Sequence, residues 1–156
     1  MGKHKSTTPR ISNKRARYEY DVLERYEAGL ALTGSEVKSL REGRASLAEG
    51  FARIDDGEAF LCNVHIAEYA SAGYAGHEPT RKRKLLLHKR EIKKLLGKLG
   101  EQGLTLVPLA LYFKNGYAKV LLGLARGKKA YDKRQVIKKR DAERELQRQL
   151  SGKNVR

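Results

Sequence analysis

Residues 104–113 and 117–124 form two apolar and aromatic runs separated by Lys114-Asn115-Gly116, and an Asn-Gly pair between such runs favours a type I′ turn. The pattern predicts a long antiparallel hairpin, one wall of a core. Pro108 lies inside the first run and has no N–H for a ladder, so it must fall at an edge, a bulge or a barrel corner. A second hairpin is predicted where residues 51–54 and 59–66 flank Asp55-Asp56-Gly57-Glu58, a turn of residues that tolerate positive φ.

The remaining elements follow from periodicity. Tyr18, Tyr20 and Val22, then Ala28, Leu30 and Leu32, alternate at period two, which predicts a first long strand with a basic lead-in and a bulge near Glu24. Ser35 can cap a short helix over residues 36–41, with Val37 and Leu40 on its apolar face, Glu36 at the positive end of the dipole and Gly43 as the stop. From His88 the pattern turns helical: Ile92, Leu95, Leu96 and Leu99 share one face, and Gly100 and Gly103 end it. Residues 69–79 read as a loop. Six or so strands in hairpins with two inserted helices predict a mainly β chain, a small antiparallel OB-like barrel.

Charge divides the chain in three. Among the 34 Lys and Arg, six lie in residues 1–17, with no acid; residues 127–156 hold eleven, against four acids. The net charge of +16 is thus concentrated at the two ends. We expect a flexible basic arm over 1–11, a barrel domain over 12–126 and a basic tail over 127–156 that is too poor in apolar residues to hold structure alone. Ala142, Leu146 and Leu150, spaced by four, allow that tail to become a helix on a partner. Two basic ends suit a polyanion, most simply nucleic acid; neither end carries the apolar face of a membrane-surface helix.

Little in the chain suggests chemistry. His4, His65, His77 and His88 lack Cys or carboxylate partners at metal-ligand spacing, so no metal or cofactor is expected. Asp55 and Asp56 read as turn formers rather than an acid/base pair, and the single Cys62 as a small core residue. Gly123 with Gly127-Lys128 falls one residue short of a phosphate loop and lacks the following Ser or Thr. A non-enzymatic, monomeric protein of the cytoplasm is expected, with no signal segment and no membrane partner. Arg15, Arg17, Tyr18 and Tyr20 can instead grip phosphate and stack bases, and the cluster Arg81-Lys82-Arg83-Lys84 can do the same within the body.

Five segments in this order resemble the SsrA-binding protein family, small protein B: Asn13-Lys14-Arg15-Ala16-Arg17, Glu27-Ala28-Gly29-Leu30, Gly34 through Arg41, Arg83-Lys84-Leu85-Leu86-Leu87, and Gly127-Lys128-Lys129 with Asp132-Lys133-Arg134. The resemblance implies an OB-like barrel, binding to the tRNA-like part of transfer-messenger RNA at its D-loop and elbow, and a role in trans-translation on stalled ribosomes. It implies RNA-binding positions at Asn13, Arg15, Arg17, Glu27, Leu86 and Lys119, to which proximity adds Lys14, Lys38 and Arg83; Tyr18, where the family often carries His, keeps an aromatic face. It further implies that the tail is disordered in solution and becomes helical in the empty mRNA channel near the decoding centre. Lys128, Lys129, Tyr131, Asp132, Lys133, Arg134, Lys138, Lys139 and Arg140 would face small-subunit rRNA and the A site. Elongation factor Tu, with aminoacylated transfer-messenger RNA, is the further partner implied.

Overall fold

The computed structural model describes residues 10–69, 76–101, 103–128 and 140–148. Its strands are β1 (Ile11–Ser12), β2 (Tyr20–Leu30), β3 (Ala45–Ser46), β4 (Phe51–Asp55), β5 (Glu58–Cys62), β6 (His65–Ile66), β7 (Arg83–Leu86), β8 (Leu104–Lys114) and β9 (Tyr117–Gly127). Three helices are interspersed, α1 (Lys14–Glu19), α2 (Gly34–Arg41) and α3 (Lys89–Leu99). A fourth helical stretch, α4, spans 140–148 with every residue exposed.

Neighbour by neighbour the main sheet runs β1-β8-β4-β5-β7-β2-β9, and β9 pairs back onto β8, so six antiparallel strands close into a ring. Both predicted hairpins are present. Asn115 and Gly116 have φ of 52° and 81°, and Asp56 and Gly57 have 48° and 75°, the left-handed pairs that type I′ turns require. The inside of the ring is filled by Ala28, Leu61, Leu85, Leu106, Leu111, Val120, Leu122 and Leu124, plugged from one end by Leu95 of α3. Pro108 resolves as a bulge: the β8–β9 register shifts between Pro108 and Ala110. That shift sets Leu109 beside Val107 in a satellite cluster with Ala125 and Ala16. The bulge expected near Glu24 is also found, between Val22 and Glu24.

Three local expectations are corrected. Residues 14–19 are helical rather than the start of a strand, because the Asn13 side chain accepts the N–H of Ala16 as an N-cap and Ala16 packs into the satellite cluster. Tyr18 therefore stands on α1, and the strand begins at Tyr20 and ends at Leu30.

α2 starts two residues earlier than expected, at Gly34 with Thr33 as N-cap, whose N–H is bonded to Glu36 Oε1 at 2.9 Å. Its buried face is Ser35, Glu36, Ser39 and Leu40, largely polar, while Val37 is only half-buried. Each polar group on that face has a partner: Ser35 Oγ meets His77 Nδ1 at 2.8 Å and Ser39 Oγ donates to Ala67 O at 2.6 Å. His77 Nε2 lies 3.0 Å from the Ile66 carbonyl, which can only accept, so Nε2 carries the proton and Ser35 donates to Nδ1. Residues 70–75 of the expected loop fall outside the described residues.

In α3, Ile92 and Leu95 are buried as expected, but Leu96 stays 54% exposed. At about 100° per residue, a stripe centred on Ile92, Leu95 and Leu99 turns Leu96 outward.

Candidate nucleic-acid interface

Antiparallel register places three of the expected RNA-binding residues on one outward face. Gly29 of β2 pairs with Leu86 on one side and Lys119 on the other, and Lys119 pairs with Tyr112. Leu86, Gly29, Lys119 and Tyr112 thus form a single row across β7, β2, β9 and β8. Glu27, two residues before Gly29, points to the same side because side chains alternate along a strand. Leu86 is 55% exposed, large for an aliphatic side chain on a paired strand.

Polar contacts arrange this face. Tyr112 Oη donates to Glu27 Oε2 at 2.5 Å, Lys114 Nζ reaches Glu27 Oε1 at 3.3 Å, and Arg10 lies over the Tyr112 ring at 4.8 Å. The hydrogen bond from Tyr112, with those from Lys114 and the charges of Lys114 and Lys119, holds the Glu27 carboxyl below its ordinary value despite partial burial. Burial, followed by the bond to Glu27, pushes the Tyr112 phenol up to about 12. The face therefore presents a fixed carboxylate acceptor, a flanking ammonium and an exposed apolar side chain. That combination can accept from base amino or 2′-hydroxyl groups, pair a phosphate and pack a sugar or base.

Gly29 was absent from the expected set, and it allows the row to exist. A Cβ built there would lie 3.1 Å from Leu86 Cβ. A glycine inside an otherwise apolar strand is the signal that flags it, since such positions mark close approach. Tyr112 and Arg10 were also missed; a tyrosine alternating along a strand carries no sign of which face it serves.

Asn13, Lys14, Arg15, Arg17 and Tyr18 gather at α1, on the same β8–β9 outer surface but nearer its other end. Ala125, beneath α1, lies six residues along β9 from Lys119, about 20 Å at strand rise. Lys14 and Arg17 are exposed and have no carboxylate partner among the described residues, which suits phosphate. Arg15 is bonded to Glu19 at 3.0 Å and to Glu49, and these carboxylates raise its pKa, so RNA would have to exchange those partners.

Two of the expected contact residues lie inside the fold. Asn13 is buried, with Nδ2 donating to Pro108 O at 2.8 Å and Leu47 O at 3.1 Å while Oδ1 caps α1. Its side chain thereby positions the start of α1 against β8. Arg83 has no exposed surface; its Nε donates to Glu36 Oε2, Nη1 to Val64 O at 2.7 Å and Nη2 to Pro79 O at 3.0 Å. The basic cluster from Arg81 is thus partly interior: Arg81 also reaches Glu36, Lys82 reaches Asp55 and Lys84 reaches Glu58. Lys38 stands apart on α2, 5.3 Å from the Tyr69 ring centroid.

Of the tail set, Lys128 and Arg140 are described. The Lys128 N–H bonds Glu19 O at 2.8 Å and its ammonium reaches Arg17 O at 3.3 Å, so Lys128 is tied to the ring. Arg140, Glu143, Arg144 and Gln147 of α4 share a cleft wall with Lys14 and Arg17. Lys129, Tyr131, Asp132, Lys133, Arg134, Lys138 and Lys139 lie outside the described residues. Among the described residues no three His, Cys, Asp or Glu cluster as metal ligands do, and no helix is long and apolar enough to cross a membrane.

Together these features define a small basic β-ring protein whose outer surface is arranged to receive a polyanion. Residues 10–152 match the model of the SmpB protein family, and the chain belongs to that family. An SsrA-binding protein of Acidothermus cellulolyticus is 63% identical over 145 residues, covering 93% of this chain and 91% of that one. One from a Sulfurihydrogenibium species is 58% identical over 142 residues, covering 91% and 93%. A solved chain described as "tmRNA-SmpB: a journey to the center of the bacterial ribosome" superposes with a TM-score of 0.67 at 60% identity, covering 78% of this chain and 86% of that chain.

Proposed function

We propose that this protein binds the tRNA-like part of transfer-messenger RNA and delivers it to stalled ribosomes for trans-translation, acting as a non-catalytic adaptor. The observation that carries the proposal is the Leu86–Gly29–Lys119–Tyr112 row with Glu27 beside it, which brings together positions scattered over 93 residues of sequence. In this proposal Lys119 pairs a phosphate of the elbow, Glu27 accepts from base or ribose donors, and Leu86 packs against a sugar or base. Lys14 and Arg17 of α1 meet a second stretch of backbone. Family membership and high identity to SsrA-binding proteins support it.

We divide the chain into an arm over 1–11, the ring over 12–126 and a tail over 127–156. The tail enters the vacant mRNA channel and meets small-subunit rRNA at the A site, with Tyr131, Asp132, Lys133 and Arg134 leading. Elongation factor Tu accompanies the aminoacylated RNA, and the free protein is a monomer. The division calls for one adjustment: a truncation should be made after Lys129 rather than Arg126, because Gly127 pairs with Tyr20 and Lys128 is bonded to α1.

Copurification from the host, with sequencing of the bound RNA, tests the proposal. Transfer-messenger RNA should dominate with the full chain and persist after truncation past Lys129, while the truncated protein fails to support tagging on stalled ribosomes. A pool without transfer-messenger RNA would contradict it.

A further inference from the structure

The ring has a weak seam. β4 pairs with β5 along its whole length but meets β8 at one position, Ala52 opposite Leu106. Below that point the strands part, and the second half of α3 lies over the opening. The resulting cleft, of about 390 Å³, is lined by Ile54, Leu96, Leu99, Gly100 and Leu104, with Arg53 and Thr105 beside them. Its lining is mainly aliphatic and contains no aromatic ring, so it offers a base nothing to stack on, whereas a branched aliphatic side chain would fill it.

The face of α3 that leads to the cleft is cationic. Lys89, Lys93 and Leu96 follow one another along a single face of α3 at i, i+4 and i+7 spacing. Lys89 and Lys93 are exposed and without a carboxylate partner among the described residues, unlike Lys98, which is bonded to Glu24. Arg126, also unpaired among the described residues, stands opposite Leu104 in the ladder. Acidic side chains near the cleft are few: Asp55 is held by Arg53 and Lys82, and Glu101 follows the end of α3.

We propose that this cleft is a docking site for an acidic segment of a protein partner, which inserts an aliphatic side chain beside Leu96 and lays its carboxylates along Lys89 and Lys93. An apolar anchor fixed in a desolvated slot, with rim charges steering the approach, is a common division of labour at a protein interface. The site uses none of the residues assigned to RNA, so both partners could be held together. It stands independently of the function proposed above.

The test uses the full chain and three fluorescent probes: a synthetic peptide of Glu and Leu, an all-Glu peptide of equal length, and an unrelated RNA duplex. The Glu–Leu peptide should bind, and should weaken roughly tenfold or more in Lys89→Glu/Lys93→Glu and again in Leu96→Asp. Those positions are exposed, so the variants should keep the parent circular dichroism and bind transfer-messenger RNA as before. Absence of peptide binding at millimolar concentration, equal binding of the all-Glu peptide, or indifference to both variants would overturn the proposal. So would loss of duplex binding in the charge-reversed variant without peptide binding to the parent, since the face would then belong to RNA.

Discussion

Arg83 of β7 and Glu36 of α2 form an ion pair with no exposed surface on either side chain, and Nη1 and Nη2 of the guanidinium each donate to a carbonyl, of Val64 and Pro79. The pair fastens a short polar helix to the ring. Removing one member strands the other's charge in the interior, so Arg83→Met and Glu36→Gln should each cost about 3–5 kcal/mol in urea unfolding. The fraction of Arg83→Met that remains folded should bind RNA with parental affinity and salt slope, which separates a structural arginine from a phosphate contact.

The same pair sets the acid limit of stability. Burial alone would raise the Glu36 pKa, but hydrogen bonds from Arg81, the Thr33 N–H and Arg83 bring it down to about 2 from an ordinary 4.5. A carboxyl with a depressed folded pKa contributes stability above its unfolded value and loses it as pH falls toward the folded value. Stability should therefore fall between about pH 4.5 and pH 2, with about 3 kcal/mol traceable to Glu36. Glu24 and Glu27, also depressed, act in the same direction. Urea midpoints at pH 6 and pH 3 measure the loss, and it should be smaller in Glu36→Gln.

Gly29 should behave as an RNA-affinity position although it carries no side chain. With the new Cβ at 3.1 Å from Leu86 Cβ and 3.3 Å from its Cδ1, Gly29→Val requires Leu86 to shift by at least a few tenths of an ångström, and the added valine methyls crowd its exposed side chain further. Anisotropy titrations should show transfer-messenger RNA affinity falling roughly tenfold, with a stability change of about 1–2 kcal/mol. Equal affinity would mean that Leu86 does not need its place in the row.

Tyr112→Phe removes the leading cause of the low Glu27 pKa. The Glu27 carboxyl should titrate closer to the ordinary range in an NMR pH series, and RNA affinity should drop roughly threefold to tenfold as the acceptor loses its fixed orientation. An unmoved Glu27 titration would assign its low pKa to Lys114 and Lys119 instead.

How far these features could be read from sequence depends on which interactions produce them. The two hairpin turns, an interruption of the ladder at Pro108 and α3 were legible because local backbone chemistry and short-range periodicity decide them, although a bulge at Pro108 could not be told from an edge or a corner. The start at Lys14 was not: period-two spacing of Tyr18, Tyr20 and Val22 hid a helix held by an asparagine cap and by Ala16 packing on residues some 90 positions away. Charge patterning failed at Arg83 for a similar reason. A run of four cations reads as one surface, yet strand alternation turns Arg83 inward to a carboxylate that is 47 residues distant. Glu27, Leu86 and Lys119 entered through resemblance alone; their adjacency is a product of register, which no local pattern encodes.

The most direct measurement is the salt dependence of transfer-messenger RNA binding by Lys119→Ala, alone and with Leu86→Ala. If the row on β7, β2, β9 and β8 is the RNA platform, Lys119→Ala should lower affinity and reduce the slope of log K against log salt by roughly 0.7–0.9. Adding Leu86→Ala should cost further affinity with no further change in slope. Parental affinity and slope in both variants, with loss only on replacing Lys14 and Arg17, would place the RNA on α1 and contradict the assignment of this face.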